Sequence, residues 1–284
     1  MHSAGVIRMS TMAWREHGKD VGFYDETLTT VPDETRRLLE EYSHISPDRV
    51  IPHILEFRDK LWGVWAYPCV GQFKFVSITI QRQKSYERIV ESLKGGARYL
   101  DIGCAIGQDM RYLALDGCPS TNMFGLEKVE GFVDASYDFF GDRQTLATRF
   151  IIADLMDRTN QDAEALKGTV DVAHVGMFLH LWDLEGQTQA CERITEFMSS
   201  KPGTLVVGNS VGRTKAGIWE WNGGKAFYKH NVESFTSMWK EVGRRTGTNW
   251  EVRGWMHDGL GLNGEKGHWD DPLTTRLMWE VERI

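Results

Sequence analysis

Apolar residues recur at helical spacing in the first third of the chain and in short strand-like runs after residue 95. Three helices are predicted in the first third, beginning at Pro32, at Ser46 and near residue 77. Five short apolar runs then alternate with helical segments, at residues 98–102, 123–126, 150–153, 170–175 and 204–207. A helix capped by Asn231 and closed by Gly243 precedes two final strands, at 250–255 and 276–281. This alternation predicts an α/β fold with a mostly parallel sheet.

The change of pattern near residue 95 predicts how the chain is organised. We expect an N-terminal helical cap over residues 1–94 and an α/β domain over residues 95–284. A length of 284 residues suits one large domain with such an addition.

Composition narrows the classes of function. The 33 basic and 40 acidic residues give a net charge of −7, which argues against binding nucleic acid mainly by neutralising phosphates. The four cysteines form no C-x-x-C pair, as expected of reduced thiols in a cytoplasmic protein. No apolar run approaches the ~20 residues of a membrane span, so we predict none. No metal-ligand spacing occurs, so no metal site is predicted.

The segment after the first strand carries the most informative motif, Asp101-x-Gly103-x-Ala105-x-Gly107. Glycines at 103 and 107 allow a tight turn and let a ligand approach the main chain. The segment departs from the dinucleotide fingerprint at Ala105 and Gln108. A carboxylate in such a turn would repel a pyrophosphate but suits an ammonium group. S-adenosylmethionine carries that group in its amino-acid tail.

Two more acids end the next two strands. Glu127, 26 residues after Asp101, ends the second strand, where Rossmann sites place an acceptor for ribose hydroxyls. Asp154 follows the third strand. Acids after three successive strands are a much more specific signal than any one of them.

The loop resembles motif I of class I S-adenosylmethionine-dependent methyltransferases, with Ala105 where many members have glycine. The resemblance implies a Rossmann-like, seven-stranded, mostly parallel sheet with helices on both faces. It implies that Asp154 accepts a hydrogen bond from the adenine amino group and that the Leu155 backbone meets the ring. Met177 and Phe178, at the end of the fourth strand, are suited to flank adenine or the methionine chain.

A narrower resemblance is to small fungal methyltransferases of meroterpenoid pathways. It rests on the loop motif, on residues 67–71 (Tyr-Pro-Cys-Val-Gly) and on residues 178–182 (Phe-Leu-His-Leu-Trp). The resemblance implies O-methylation of a carboxylate or hydroxyl on a bulky, apolar small molecule. Members of that family are described as homodimers, which implies the same state here.

Histidines and tryptophans supply the candidates on the acceptor side. A hydroxyl acceptor needs a base, for which His180 is the first candidate and His230 the second, whereas a carboxylate is already ionised. Aromatic residues are predicted to wall the acceptor pocket, namely Trp65, Tyr67, Trp182 and Trp219.

Two alternatives remain open at this stage. Gly208-Asn209-Ser210-Val211-Gly212 matches the G-x-S-x-G of serine hydrolases, with Asp258 and His268 in the right order, but the residues after it are a poor helix start. The other alternative is a methyltransferase fold that steers a cyclisation or isomerisation without methyl transfer.

Overall fold

The structure, a computed structural model, describes residues 18–221, 225–257, 259–264 and 271–284. Within these ranges nine strands form a large sheet and a separate hairpin. The strands are β1 (Tyr99–Ile102), β2 (Met123–Glu127), β3 (Arg149–Ile152), β4 (Val172–Gly176), β5 (Leu205–Arg213), β6 (Gly217–Trp221), β7 (Lys225–Lys229), β8 (Trp250–His257) and β9 (Thr274–Arg283).

The large sheet has seven strands in the described part of the chain, in the order β3-β2-β1-β4-β5-β9-β8. The first five are parallel, whereas β9 runs antiparallel to both β5 and β8. Strand order reverses between β1 and β4, the place where open α/β sheets bind ligands. The predicted mostly parallel, seven-stranded sheet is therefore confirmed.

Helices cover both faces of this sheet. They are α1 (Asp33–Arg37), α2 (Val50–Val64), α3 (Pro68–Gly71), α4 (Tyr86–Lys94), α5 (Gln108–Leu115), α6 (Glu130–Phe140), α7 (Gln161–Glu164), α8 (Leu184–Phe197) and α9 (Val232–Thr246). Helix α1 continues as a wider turn, Leu38–Tyr42. No helix in the ranges described is both long and apolar enough to cross a membrane.

Two hydrophobic cores lie on opposite faces of the sheet. The first joins the N-terminal helices to α5, α6 and side chains of β1, β4 and β5, among them Tyr99, Val172 and Val207. The second joins α8 and α9 to alternating residues of the same strands, among them Leu100, Ala173 and Val206. The N-terminal helices therefore pack directly on one face of the sheet, and their description as a separate cap over residues 1–94 stays a prediction.

The third N-terminal helix is shorter than predicted. Helix α4 begins at Tyr86, and only one turn of 3₁₀ helix, Ile80–Arg82, precedes it. The N–H groups of Thr79 and Ile80 donate to Oδ1 of Asp109, at 2.7 and 2.8 Å. This tertiary contact fixes residues 79 and 80 to α5, and the chain between them and Tyr86 does not continue as one helix.

Four further differences from prediction concern α9, α6, the hairpin β6–β7 and β5. Helix α9 continues through Gly243 to Thr246 and ends at Gly247, whose φ of 67° closes it. Helix α6 and the hairpin β6–β7 were not predicted. The fifth strand extends to Arg213, well beyond the predicted end at 207.

Candidate active site

The loop after β1 adopts a strained, left-handed course. The φ angles of Gly103, Ala105 and Gly107 are 68°, 48° and 65°. A Cβ on Gly103 would lie 2.5 Å from the ring of Phe178, and Gly107 is the N-cap of α5. Glycine is required at 103 for both reasons, while Ala105 bears a conformation that L-residues avoid.

Glu127 fastens this loop to the end of β2. Its Oε2 accepts a hydrogen bond from the Ala105 N–H at 2.9 Å, and its Oε1 accepts one from Val129 at 2.8 Å. Only 8% of the residue is exposed, and burial raises the pKa of its carboxyl group. Each carboxylate oxygen has a second lone pair, so the group can still accept from a ribose diol.

Asp154 lies beside Glu127, as the strand order requires. Glu127 pairs in register with Ile152, two residues before Asp154. Its carboxylate accepts from the Met156 N–H at 2.9 Å and forms an ion pair with Lys128 at 2.8 Å. The neighbouring Leu155 side chain is buried in the second core, so only its backbone is available to a ligand at this edge.

Asp101 is more enclosed than its motif suggested. It is 3% exposed, and its Oδ1 lies 3.0 Å from Nδ1 of His174. The other ring nitrogen of His174 lies 3.0 Å from the Thr79 hydroxyl, which also reaches Asp109 at 3.4 Å. The charges of Asp101 and Asp109 raise the pKa of His174 against the opposing effect of burial. Asp101 therefore belongs to a buried network that joins β1, β4, α5 and the cap.

The end of β4 brings Met177 and Phe178 to the loop. Met177 has a φ of 50° and donates its N–H to the Asn209 carbonyl at 2.8 Å. Phe178 packs over Gly103 and meets Trp182 edge-on, with ring centroids 4.8 Å apart. Phe178 thus links the loop after β1 to Trp182.

His180 follows on a short 3₁₀ turn, Leu179–Leu181. Within the described residues, its Nδ1 is buried without a hydrogen-bond partner. Burial and the positive charges of Lys74, Lys229 and Arg276 lower its pKa to about 3. The imidazole is therefore neutral at pH 7 and only weakly basic.

His230 lies between the end of β7 and the N-cap of α9. Its Nδ1 is 2.9 Å from the Ser234 hydroxyl, and its ring packs against Tyr228 and Phe235. Phe235 belongs to the second core, and burial lowers the pKa of His230 to about 4. The structure thus groups His230 with the end of β7 and the start of α9.

The four predicted pocket aromatics form two separate groups. Trp65 and Tyr67 stack on each other, and Tyr67 faces Phe132 of α6. Burial, with smaller contributions from Cys69 and Glu127, raises the pKa of Tyr67. Trp65 and Tyr67 therefore lie toward the end of β2.

Trp182 and Trp219 belong to the other group, beside the hairpin. The carbonyl of Trp182 accepts from Tyr228, and Trp219 packs near Phe227 under the Lys229 ammonium. These two residues lie on the His180 side.

Ser210 does not stand at a nucleophile elbow. It lies inside β5, which continues to Arg213 and leads into the hairpin instead of a helix. The residue is 5% exposed, and its proposed partners Asp258 and His268 lie outside the described residues. A helix directly after the serine is part of the hydrolase geometry, so this alternative loses its main support.

Sequence reasoning overlooked Arg276, which is buried in β9 beside Asn209. The sequence shows only that Arg276 begins a predicted strand and precedes the apolar residues 277–279, whereas its burial depends on where that strand lies in the sheet. Asp109 and Thr79 were overlooked because their contacts depend on how the cap docks.

Comparison with known proteins identifies relatives of the whole chain and a family match in its first third. Residues 23–76 match the family described as meroterpenoid methyltransferase N-terminal domain. The O-methyltransferase atr3 of Stereocaulon alpinum is 38% identical over 275 residues, covering 95% of this chain and 78% of that protein. The O-methyltransferase phiE of Fungal sp. is 37% identical, covering 84% of this chain and 81% of that protein. The methyltransferase ausD of Penicillium brasilianum is 32% identical, covering 82% and 84%.

These relatives confirm the resemblance inferred from the loop motif and from residues 178–182. The matched regions cover 95% and 84% of this chain and so include N-terminal helices as well as the sheet. This chain therefore belongs to the family of fungal methyltransferases that includes atr3, phiE and ausD.

Proposed function

We propose that the protein transfers a methyl group from S-adenosylmethionine to an oxygen of a bulky, apolar secondary metabolite of the meroterpenoid or polyketide type. The observation that carries the proposal is the meeting of the Gly103 loop, Glu127 and Asp154 at the carboxyl ends of three adjacent parallel strands. Family membership supports the reaction type, and the names of the relatives atr3 and phiE support oxygen as the acceptor atom.

The cofactor fits the residues present. Glycine at 103 and 107 lets the loop backbone follow this left-handed course, with neighbouring side chains packed where Cβ atoms would lie. Glu127 would hold the ribose hydroxyls, and Asp154 with the Leu155 backbone would hold the adenine. Met177 and Phe178 would flank the adenine or the methionine chain. Bound S-adenosylmethionine supplies an electrophilic methyl group, so the protein has chiefly to position the acceptor.

The two histidines favour a carboxylate acceptor over a hydroxyl. Burial keeps the pKa of His180 at about 3 and that of His230 at about 4. Neither imidazole is basic enough to remove a phenolic proton efficiently near pH 7. A carboxylic acid, with a pKa near 4, is already ionised and needs no base. His180 would then contact the acceptor through its unpartnered nitrogen, and Trp182 and Trp219 would cover the apolar body.

The test is incubation with S-adenosylmethionine that carries a deuterated methyl group. The acceptors are a panel of apolar carboxylic acids and the matched alcohols and phenols, followed by mass spectrometry. The proposal expects one labelled methyl on an acid. An unchanged mass with a new isomer would favour the non-methylating alternative, and methylation of the alcohols alone would contradict the carboxylate assignment.

We further propose that the partner is a small molecule, that the chain forms a homodimer and that it works in the cytoplasm. The four cysteines are free thiols, three of them buried, as suits a reducing compartment. The homodimer rests on the family resemblance, and sedimentation at several concentrations tests it.

A further inference from the structure

Arg276 is a buried cation in the interior of the sheet. It lies on β9, between β5 and β8, and is 2% exposed. Its guanidinium donates to Oδ1 of Asn209 at 3.0 Å and to the carbonyls of Leu260 and Gly259 at 3.2 and 3.4 Å. All three acceptors are neutral. Across the residues the structure describes, no carboxylate lies within ion-pair distance of it.

Within the described part of the chain, no negative charge compensates for the burial of this guanidinium. Removing a guanidinium from water is costly unless an anion compensates for the lost hydration. Burial accordingly lowers the pKa of Arg276 to about 10, with a further contribution from the positive charge of Arg82. Arg82 is itself paired with Glu34 at 2.9 Å. Among the described residues, Arg276 thus has neutral acceptors only and no counter-ion.

The position of Arg276 points to the source of that anion. Asn209 pairs in register with Gly176, and its carbonyl accepts from Met177. Arg276 therefore reaches the carboxyl end of β4 through Asn209, on the methyl-acceptor side of the predicted cofactor position.

Two unpartnered amide atoms lie at the same place. Nδ2 of Asn209 and Oε1 of Gln83 are both buried without a partner among the described residues. Gln83 is held there by its bond to the Gly208 carbonyl at 3.0 Å. Asn209 thus offers a free N–H₂ donor beside the Arg276 guanidinium.

Three cationic side chains act on His180, although the protein as a whole carries −7. Lys229, 6% exposed, lies 3.0 Å from the Thr274 hydroxyl and 3.8 Å from Asp271. Lys229, Lys74 and Arg276 all act electrostatically on His180. Each of these three positive charges favours an anion bound near His180.

We propose that Arg276, assisted by the side-chain amide of Asn209, binds the carboxylate of the methyl acceptor and selects anionic acceptors over neutral ones. This inference rests on the proposed function. An arginine fork matches a carboxylate in geometry and charge, and the amide of Asn209 adds a third donor. Specificity follows, because a neutral analogue would leave the buried guanidinium uncompensated.

The chemistry of the step is consistent with this role. A carboxylate oxygen forms a bond to the methyl carbon while the carbon–sulfur bond breaks and its electron pair passes to sulfur. No proton is released, and the positive sulfonium and negative carboxylate become a neutral thioether and a neutral ester. The ester no longer pairs with Arg276, which favours release of the product.

Arg276 could instead bind the carboxylate in the methionine tail of the cofactor. Binding measurements distinguish that carboxylate from the carboxylate of the methyl acceptor. The probes are 2-naphthoate and the matched neutral 2-naphthamide, titrated calorimetrically into the protein saturated with S-adenosylhomocysteine. We expect wild type to bind naphthoate in preference to naphthamide. Arg276→Gln should weaken naphthoate at least about tenfold, leaving naphthamide and S-adenosylhomocysteine within about twofold.

The controls keep the outcomes distinct. Arg283→Gln, on the same strand but bonded to the Ser199 carbonyl, should bind naphthoate as wild type does. Arg276→Lys keeps the charge without the fork and should lose part of the affinity for naphthoate. It serves as the test if Arg276→Gln fails to fold.

Three results would overturn the inference. They are equal or absent binding of both probes by wild type, unchanged naphthoate binding in both Arg276 variants, and loss of S-adenosylhomocysteine affinity in those variants. The last would assign Arg276 to the donor's carboxylate. Failure of wild type to bind S-adenosylhomocysteine at all would instead refute the proposed function.

Discussion

Asp101 and His174 face each other across neighbouring strands, paired in register on β1 and β4 with Oδ1 and Nδ1 3.0 Å apart. Strand order reverses at this point, so the pair lies beneath the predicted methionine end of the cofactor. Thr79 and Asp109 extend the pair to the cap and to α5. Asp101 is thus part of a buried hydrogen-bond network as well as a candidate to bind the cofactor.

His174 should make stability depend on pH above neutrality. Its pKa is raised in the folded state by Asp101 and Asp109, so its charge stabilises the fold below about pH 6.5. That contribution is lost as pH rises through the raised pKa. His174→Asn should therefore be more destabilising at pH 7 than at pH 9, measured by urea unfolding. An equal loss at both pH values would mean that His174 stays neutral.

Ala105→Gly should leave stability within about 1 kcal/mol of wild type, in contrast to an ordinary alanine-to-glycine change. Relief of the left-handed strain at a φ of 48° offsets the entropy that glycine adds to the unfolded chain. The control is Ala135→Gly within α6, where the loss should be about 1 kcal/mol. Equal losses in thermal unfolding of the two variants would contradict the strain at Ala105.

Gly103→Ala should cost at least about 2 kcal/mol, because it combines a left-handed φ with a clash against Phe178. Removing the ring relieves the clash but not the backbone strain. In the double variant with Phe178→Ala, the two losses should fall short of additivity by about 1 kcal/mol. Additive losses in urea unfolding would show that the ring moves away freely.

In the His174→Asn variant, where titration of His174 cannot contribute, the pH profile of methyl transfer to a carboxylic acid should be flat between about pH 6 and 8. His180 and His230 have pKa values of about 3 and 4 and stay neutral across that range, while Arg276, at about 10, stays charged. The measurement is kcat/KM against pH. A rise in kcat/KM with a midpoint near pH 6.5 would indicate a histidine base and a hydroxyl acceptor.

The strands and the acids at their ends were predictable because each signal is local. Glu127 directly follows the apolar run 123–126, and Asp154 directly follows the apolar run 150–153. Because the two strands are parallel, both acids come to the same edge of the sheet. The partner of Asp101 was not predictable, since it depends on the register of strands 73 residues apart. Arg276 needed the position of β9 between β5 and β8, which no local pattern contains. The cap contacts of Asp109 likewise exist only once the first third has docked.

Glu127 tests the central claim most directly, because its carboxylate joins the loop to the predicted ribose position. The measurement is calorimetric titration with S-adenosylhomocysteine of wild type, Glu127→Gln and a control, Glu130→Gln, changed at an exposed acid in the first turn of α6. We predict one saturable site per chain in wild type and control, and binding at least about tenfold weaker in Glu127→Gln with an unchanged circular dichroism spectrum. No binding by wild type, or equal affinity in all three proteins, would contradict the account.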